Sequence, residues 1–424
     1  MRTPPSATRL APLLGLLAAV SAGADDWPQF RGPDGSGRYD GEASLPVEWD
    51  AETNIAWTAE LPGRGASSPA VFGDLVVVTA YTGYGLEPNV GEAADLELHT
   101  LCFDRRTGER LWQATEPGGD AVPEPTPRRV DHGFATPTAA LSEDGVVVYF
   151  GTSGLFAYDW DGDRQWGHTY DGKTKGFGTA TSPILHDGLV IQNRSIEGGP
   201  LEAYDRRTGE LAWSVPDIDA AWSTPTILDT ADGEPELVMN SKFVVRGIDP
   251  ATGEVLWTCD GIDDYVVPVV VGEGGMAYCF GGRQNRCLAI RLGGRGDVTE
   301  THRLWMVPRG ANVTSPVLHD GKLFCIHDKG QWLVLDAADG SELARRRLPY
   351  SGRVYPSVVY GDGRLYAQTR DAGLLVLKAQ PDYEEIGVNR LEPETLWNAG
   401  PALVDGTIYL RSDAKLYAVG DPIR

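Results

Sequence analysis

The chain has little of what marks most enzymes. Its 424 residues include five cysteines, no two of them adjacent, and no Cys-x-x-Cys-His that would tether a haem. Seven histidines are scattered and none falls in His-Glu-x-x-His, so no spacing favours a zinc site. Gly-x-Ser-x-Gly is absent, which removes the nucleophile elbow of the α/β hydrolases. Gly293 to Gly296 lacks the following helix that a phosphate loop needs. Positive charge is also scarce: 37 basic residues against 60 acidic ones leave a net charge of −23, which repels nucleic acid. Long apolar runs are missing too, and residues 10–20 are too few to span a bilayer.

Arg2 and Arg9 precede that apolar run and Ala22-Gly23-Ala24 follows it, so residues 1–24 read as an export signal with the mature chain starting at Asp25. The first cysteine is Cys102, which leaves no thiol at the cleavage point for a lipid anchor. The expected location is extracytoplasmic, periplasmic or secreted, with no transmembrane segment once the signal is removed. An odd number of cysteines leaves at least one unpaired in a monomer. Cys279 and Cys287 flank a turn over residues 280–286 and are either a cross-strand disulfide, a geometry that often fits poorly, or two buried thiols like the rest.

What is abundant is punctuation. The 52 glycines and 29 prolines interrupt the chain too often for long helices but suit many short strands with tight turns. One unit recurs: a small residue or its substitute, then Pro, then an apolar strand. Ser68-Pro69, Thr136-Pro137, Ser182-Pro183, Thr224-Pro225, Val267-Pro268, Ser315-Pro316, Tyr355-Pro356 and Gly400-Pro401 make eight, separated by 68, 46, 42, 43, 48, 40 and 45 residues. After the first interval that is the period of a four-stranded propeller blade.

A second signature lies later in each unit. Asp104 through Thr107-Gly108-Glu109 precedes Trp112, Asp205 through Thr208-Gly209-Glu210 precedes Trp213, and Asp249 through Thr252-Gly253-Glu254 precedes Trp257, always eight residues from Asp to Trp. Asp satisfies backbone N–H groups and Gly takes the left-handed conformation that closes a hairpin, leaving Trp on the outermost strand to pack on the next blade. Blade six has Ala344 where the Trp belongs, and blade five carries an insertion over residues 292–303. Trp57 stands 12 residues before Pro69, as Trp213 does before Pro225, so the strand at Asn54 to Trp57 has the phase of a fourth strand. It is expected to complete the last blade and close the ring, removing open sheet edges. The expected fold is all-β: an eight-bladed propeller of four-stranded antiparallel blades over residues 53–420, after an N-terminal extension at 25–52.

These repeats closely resemble those of the pyrroloquinoline-quinone (PQQ)-type propellers, from about Asn54 to Val419. Two families share them: the quinoprotein alcohol dehydrogenases, and the outer-membrane assembly protein BamB with its relatives. Trp27-Pro28-Gln29-Phe30-Arg31-Gly32-Pro33 and residues 291–299 further resemble a group of exported bacterial propellers, for which "PQQ-like" describes a repeat. The dehydrogenase resemblance implies a quinone beside a ring of two adjacent cysteines, a Ca²⁺ and a catalytic Asp. The adjacent-cysteine pair is absent here. The function expected is therefore an exported binding or scaffolding propeller with no cofactor, metal site or catalytic residue, contacting a protein, glycan or small ligand. The alternative is a PQQ-dependent alcohol or sugar dehydrogenase.

The largest insertions, residues 81–97 and 115–133, both fall on the face where fourth-to-first connections emerge, and residues just before each Pro enter the channel from that side. Arg64, His132, Phe134, Trp222, Asp264, Tyr265, Asn312, Arg353 and Trp397 hold such positions. All but Phe134 are taken as the expected ligand-binding channel mouth, mixing stacking rings with cations and amides. Trp222 and Trp397 depart from the repeat and are expected there rather than in blade packing.

Overall fold

The computed structural model describes residues 26–350, 352–371, 373–391 and 395–422. The export signal expected over residues 1–24 lies outside the described residues. No helix among those described is long and apolar enough to cross a membrane.

Among the described residues, eight antiparallel four-stranded sheets form the ring, seven of them with their strands in chain order, and two gain a short extra strand. Blade one runs Ala70–Phe72, Leu75–Thr82, Glu97–Asp104 and Arg110–Pro117 from the channel outwards. Blade eight takes three strands from the C-terminal segment, and its outermost is Ile55–Glu60, paired antiparallel with Lys415–Val419 from Ile55↔Val419 to Glu60↔Lys415. The ring is thus closed by the N-terminal strand, as the phase of Trp57 requires.

The Asp-x-x-Thr-Gly-Glu turn and the Trp of the preceding blade form one lock. Asp205 Oδ1 accepts from the backbone N–H of Arg207 and Thr208 at 3.0 and 2.8 Å, and Gly209 has φ +72°. The Trp166 indole lies so close over Gly209 that a Cβ there would sit 2.7 Å from the ring, and Trp166 Nε1 donates to Arg206 O at 2.9 Å. Glycine is needed twice, for its dihedral angle and for its bareness. Trp57 on Arg105 O, Trp112 on Trp160 O and Trp213 on Pro250 O repeat the bond at 2.8–3.0 Å.

The residue pair around each Pro does more than start a strand. Ser68 N donates to Thr138 Oγ1, Thr138 N to Ser182 Oγ and Ser182 N to Thr224 Oγ1, each at 3.0 Å. Gly400 N returns to Ser68 Oγ at 3.1 Å. These hydroxyls stitch neighbouring blades around the channel, which explains why Ser and Thr recur there.

Cys279 and Cys287 are both free and buried. Cys279 pairs with Leu288 and Cys287 with Phe280, so the two thiols are one register step apart and face opposite sides of blade five. That placement rules out the disulfide between them.

The segment that begins at Asp26 enters the channel. Trp27 pairs with Val71, Pro28 O accepts from Leu141 N at 2.8 Å, and Gln29 Oε1 accepts from Leu185 N at 3.2 Å. Arg31 donates to Val358 O and Pro316 O at 3.1 and 2.6 Å. Arg38 meets Glu273 at 3.2 Å, and Arg38–Tyr39 pairs in parallel with Tyr360–Gly361. These contacts reach the inner strands, or the residues leading into them, of blades one, two, three, five, six and seven. Further on, Asn389 clasps Trp49 N and Val47 O at 2.9 Å beside Gly387, where blade seven lacks the docking Trp.

Candidate functional site

A cavity of about 340 Å³ opens on the insertion-bearing face and is lined by connectors of all eight blades, with Phe30 of the channel plug also contributing. Because the plug bonds to the inner strands beneath, the cavity is blind.

Its wall carries an arc of rings. Tyr355 and His132 have centroids 5.3 Å apart, His132 and Phe177 6.0 Å, Phe177 and Trp222 6.0 Å, and Trp222 and Tyr265 6.4 Å. Three of those contacts are edge-to-face, with interplanar angles of 85°, 73° and 86°. Trp222 is fixed by its Nε1 bond to Gly178 O at 2.9 Å, and Tyr265 by the amide of Asn312 on its hydroxyl at 2.9 Å. His132 reaches the arc because the 115–133 insertion crosses the face. Asp131 pairs with Arg370 of blade seven at 2.7 Å, and its carbonyl accepts from Asn398 Nδ2 of blade eight at 3.0 Å.

Burial pushes the His132 imidazole below its ordinary value; Asp131 opposes this and Arg370 and Arg353 reinforce it, so the ring is neutral at neutral pH. Against burial, the hydrogen bond and charge of Arg370 hold Asp131 below the usual carboxylate range.

Guanidinium groups sit by three of the five rings. Arg128 lies 5.7 Å from the centroid of Phe177, Arg283 4.7 Å from that of Tyr265, and Arg370 and Arg353 5.1 and 6.0 Å from that of Tyr355. Arg283 is neutralised by Asp264 at 2.7 Å and Arg370 by Asp131.

Of the residues expected at the mouth, His132, Trp222, Tyr265 and Arg353 line the cavity. Asn312 stands behind Tyr265, and Asp264 is held by Arg283. Arg64 lies elsewhere: its guanidinium donates to Leu86 O, pinning the 81–97 insertion, and approaches Asp413 at 4.0 Å. Phe134 packs on Tyr81 and Tyr84 of that insertion. Trp397 is core, 5 % exposed and stacked on Tyr417 at 5.6 Å, so packing does account for it.

Phe30, Phe177, Tyr355 and Lys329 line the cavity without having been singled out in the sequence. Tyr355 carried a signal, since it replaces the Ser or Thr that usually precedes Pro.

Behind the wall, Thr179 lines the cavity and its hydroxyl donates to Glu197 at 2.6 Å. Burial pushes the Glu197 carboxyl up, against the opposing pull of Thr179 and of Arg194.

A family model described as outer membrane protein assembly factor BamB matches residues 97–305. The outer membrane protein assembly factor BamB of Yersinia pestis is 22% identical over 338 residues, 66% of this chain and 81% of that protein. Among solved structures, BamB from Moraxella catarrhalis is similar with a TM-score of 0.58 at 12% identity, covering 86% of this chain and 96% of that one. The computationally designed Ika8 protein is similar with a TM-score of 0.56 at 14% identity, covering 85% and 98%. The two structures speak for the fold alone. The family match and the Yersinia relative bear out the BamB-like character read from the repeats.

Proposed function

We propose that this BamB-like propeller is an exported, extracytoplasmic binding protein that engages its partner on the insertion-bearing face and reads it with the blind cavity. The observation that carries this is convergence: rings from five separate connectors meet around one opening that the N-terminal segment closes from below. Such a concave site with a few fixed polar groups is the usual form of a recognition pocket. Similarity to the Yersinia outer membrane protein assembly factor favours a protein of the envelope among the partner classes, with glycan and small ligand as the other two.

The lining does not fit a quinone held by Ca²⁺. Among the described lining residues Asp328 is the one carboxylate and no cysteine is present. No three His, Cys, Asp or Glu side chains among the described residues are grouped so as to hold a metal ion.

A photo-crosslinking residue at Phe177, on the cavity, and another at Leu211, on an outer strand, test the reading in envelope extract. Adducts identified by mass spectrometry are expected from the first position alone. Equal labelling from both, or dye reduction with an alcohol after adding PQQ and Ca²⁺, would overturn it.

A further inference from the structure

Resting on that reading of the cavity as the recognition element, we infer that the cavity takes a small aromatic acid: a flat ring system bearing a carboxylate.

The ring half of the inference comes from the arc. Phe177 is 38 % exposed, a large apolar side chain presented at the opening rather than packed away. With Trp222 and Tyr265 on one side and Tyr355 on the other, it offers faces and edges to a planar guest. At about 340 Å³ the cavity is at the lower end of small-molecule sites. One or two fused rings fit that scale better than an oligosaccharide.

The acid half comes from charge. The chain carries −23 overall, yet the opening holds a surplus of cations. Lys329 and Arg353 line it, Arg128 stands against Phe177, and among the described residues none of these three has a carboxylate within 4.0 Å. Arg353 donates to the neutral hydroxyl of Tyr355 and is attracted by Asp131 and Asp328 at longer range, with neither close enough to pair with it. The one lining carboxylate, Asp328, has a buried Oδ1 with no hydrogen-bond partner and acts on Arg353 at longer range, so Lys329, Arg353 and Arg128 outnumber it three to one. In a protein this acidic, cations left without partners at the mouth of a ring-lined cavity complement an anion attached to a ring.

The test uses the full mature chain and three probes of one shape: 2-naphthoate, 2-naphthamide and 2-naphthylmethylammonium, titrated by calorimetry. The naphthoate is expected to bind at least tenfold more tightly than the amide, more weakly as salt is raised, and the ammonium not measurably. Lys329→Met with Arg353→Met, both at exposed positions, is expected to bring naphthoate down to the affinity of the amide while the melting temperature stays put. Equal binding of acid and amide, preference for the ammonium, unchanged affinity in the double variant, or no binding of any probe each overturns the inference. If the probes fail while crosslinking at Phe177 still captures a partner, the aromatic acid alone falls. If both fail, the cavity loses its role as well.

Discussion

Trp332 donates its indole N–H to the carbonyl of Pro381 at 3.2 Å, a bond that crosses from the third strand of blade six to the turn of blade seven. In the regular blades that bond comes from the fourth strand. Blade six has Ala344 at the regular site, and Trp332 sits on the adjacent strand with Val334, the partner of Ala344, two residues on and so on the same face. The docking ring has moved one strand inward and kept its target.

Trp332 is fully buried, so Trp332→Ala is expected to cost about 3–5 kcal/mol, as for other large-to-small core changes. Trp332→Phe keeps most of the ring and loses the bond, for about 1 kcal/mol plus packing loss. Denaturant unfolding of both variants checks this. A Trp332→Ala protein as stable as the parent would show that blades six and seven do not depend on the crossing ring.

The ring was legible because its signatures are local. Asp205, Thr208, Gly209 and the hairpin they build lie within five residues, and Trp213 follows at fixed distance. The plug was not, because its partners are remote: Arg31 bonds to Val358 across 327 positions, and no periodicity in residues 26–39 announces that. At the site, position before Pro found His132, Trp222, Tyr265 and Arg353. The same rule misplaced Trp397, because connector length decides whether a residue there turns to the channel or into the gap between blades seven and eight. Lys329 was invisible to it, being on a second-to-third connection.

The plug is expected to matter for stability in rank order. Trp27 is 1 % exposed and packs against Gly32, whereas Phe30 is only half-buried at the cavity floor. Trp27→Ala should lower stability by about 3–5 kcal/mol and Phe30→Ala by distinctly less. Thermal melts of the two variants would show the reverse order if Trp27 were not the anchor.

Glu197 gives a pH dependence of known sign. Its folded pKa is raised by burial above the ordinary 4.5, so the unfolded chain ionises first as pH rises. The stability associated with this group is therefore complete below about pH 4.5 and is lost as pH climbs through the folded value. Glu197→Gln removes the charge and keeps an acceptor for Thr179. It should leave stability near pH 4 unchanged and raise it at pH 8 by about 1 kcal/mol, a common size for one substitution. Parallel pH–stability curves for variant and parent would contradict the assignment.

Trp222 and Trp397 look alike in the sequence, three and four residues before a Pro, and the structure separates them. Trp222 lines the cavity between Phe177 and Tyr265, and its indole N–H bonds to a neighbouring connector. Trp397 is buried in the cluster that includes Trp49, Leu374, Leu403 and Leu410, stacked on Tyr417. Trp222→Ala should therefore weaken binding at the cavity by about 1–3 kcal/mol, the range of an anchoring ring, with a modest change in stability. Trp397→Ala should cost about 3–5 kcal/mol of stability and leave the affinity of the folded fraction nearly as it was. The two effects are separable by titrating 2-naphthoate well below the melting temperature of each variant. If Trp397→Ala loses affinity while its melt is unchanged, or Trp222→Ala unfolds, the roles are exchanged and the arc of rings is core rather than site.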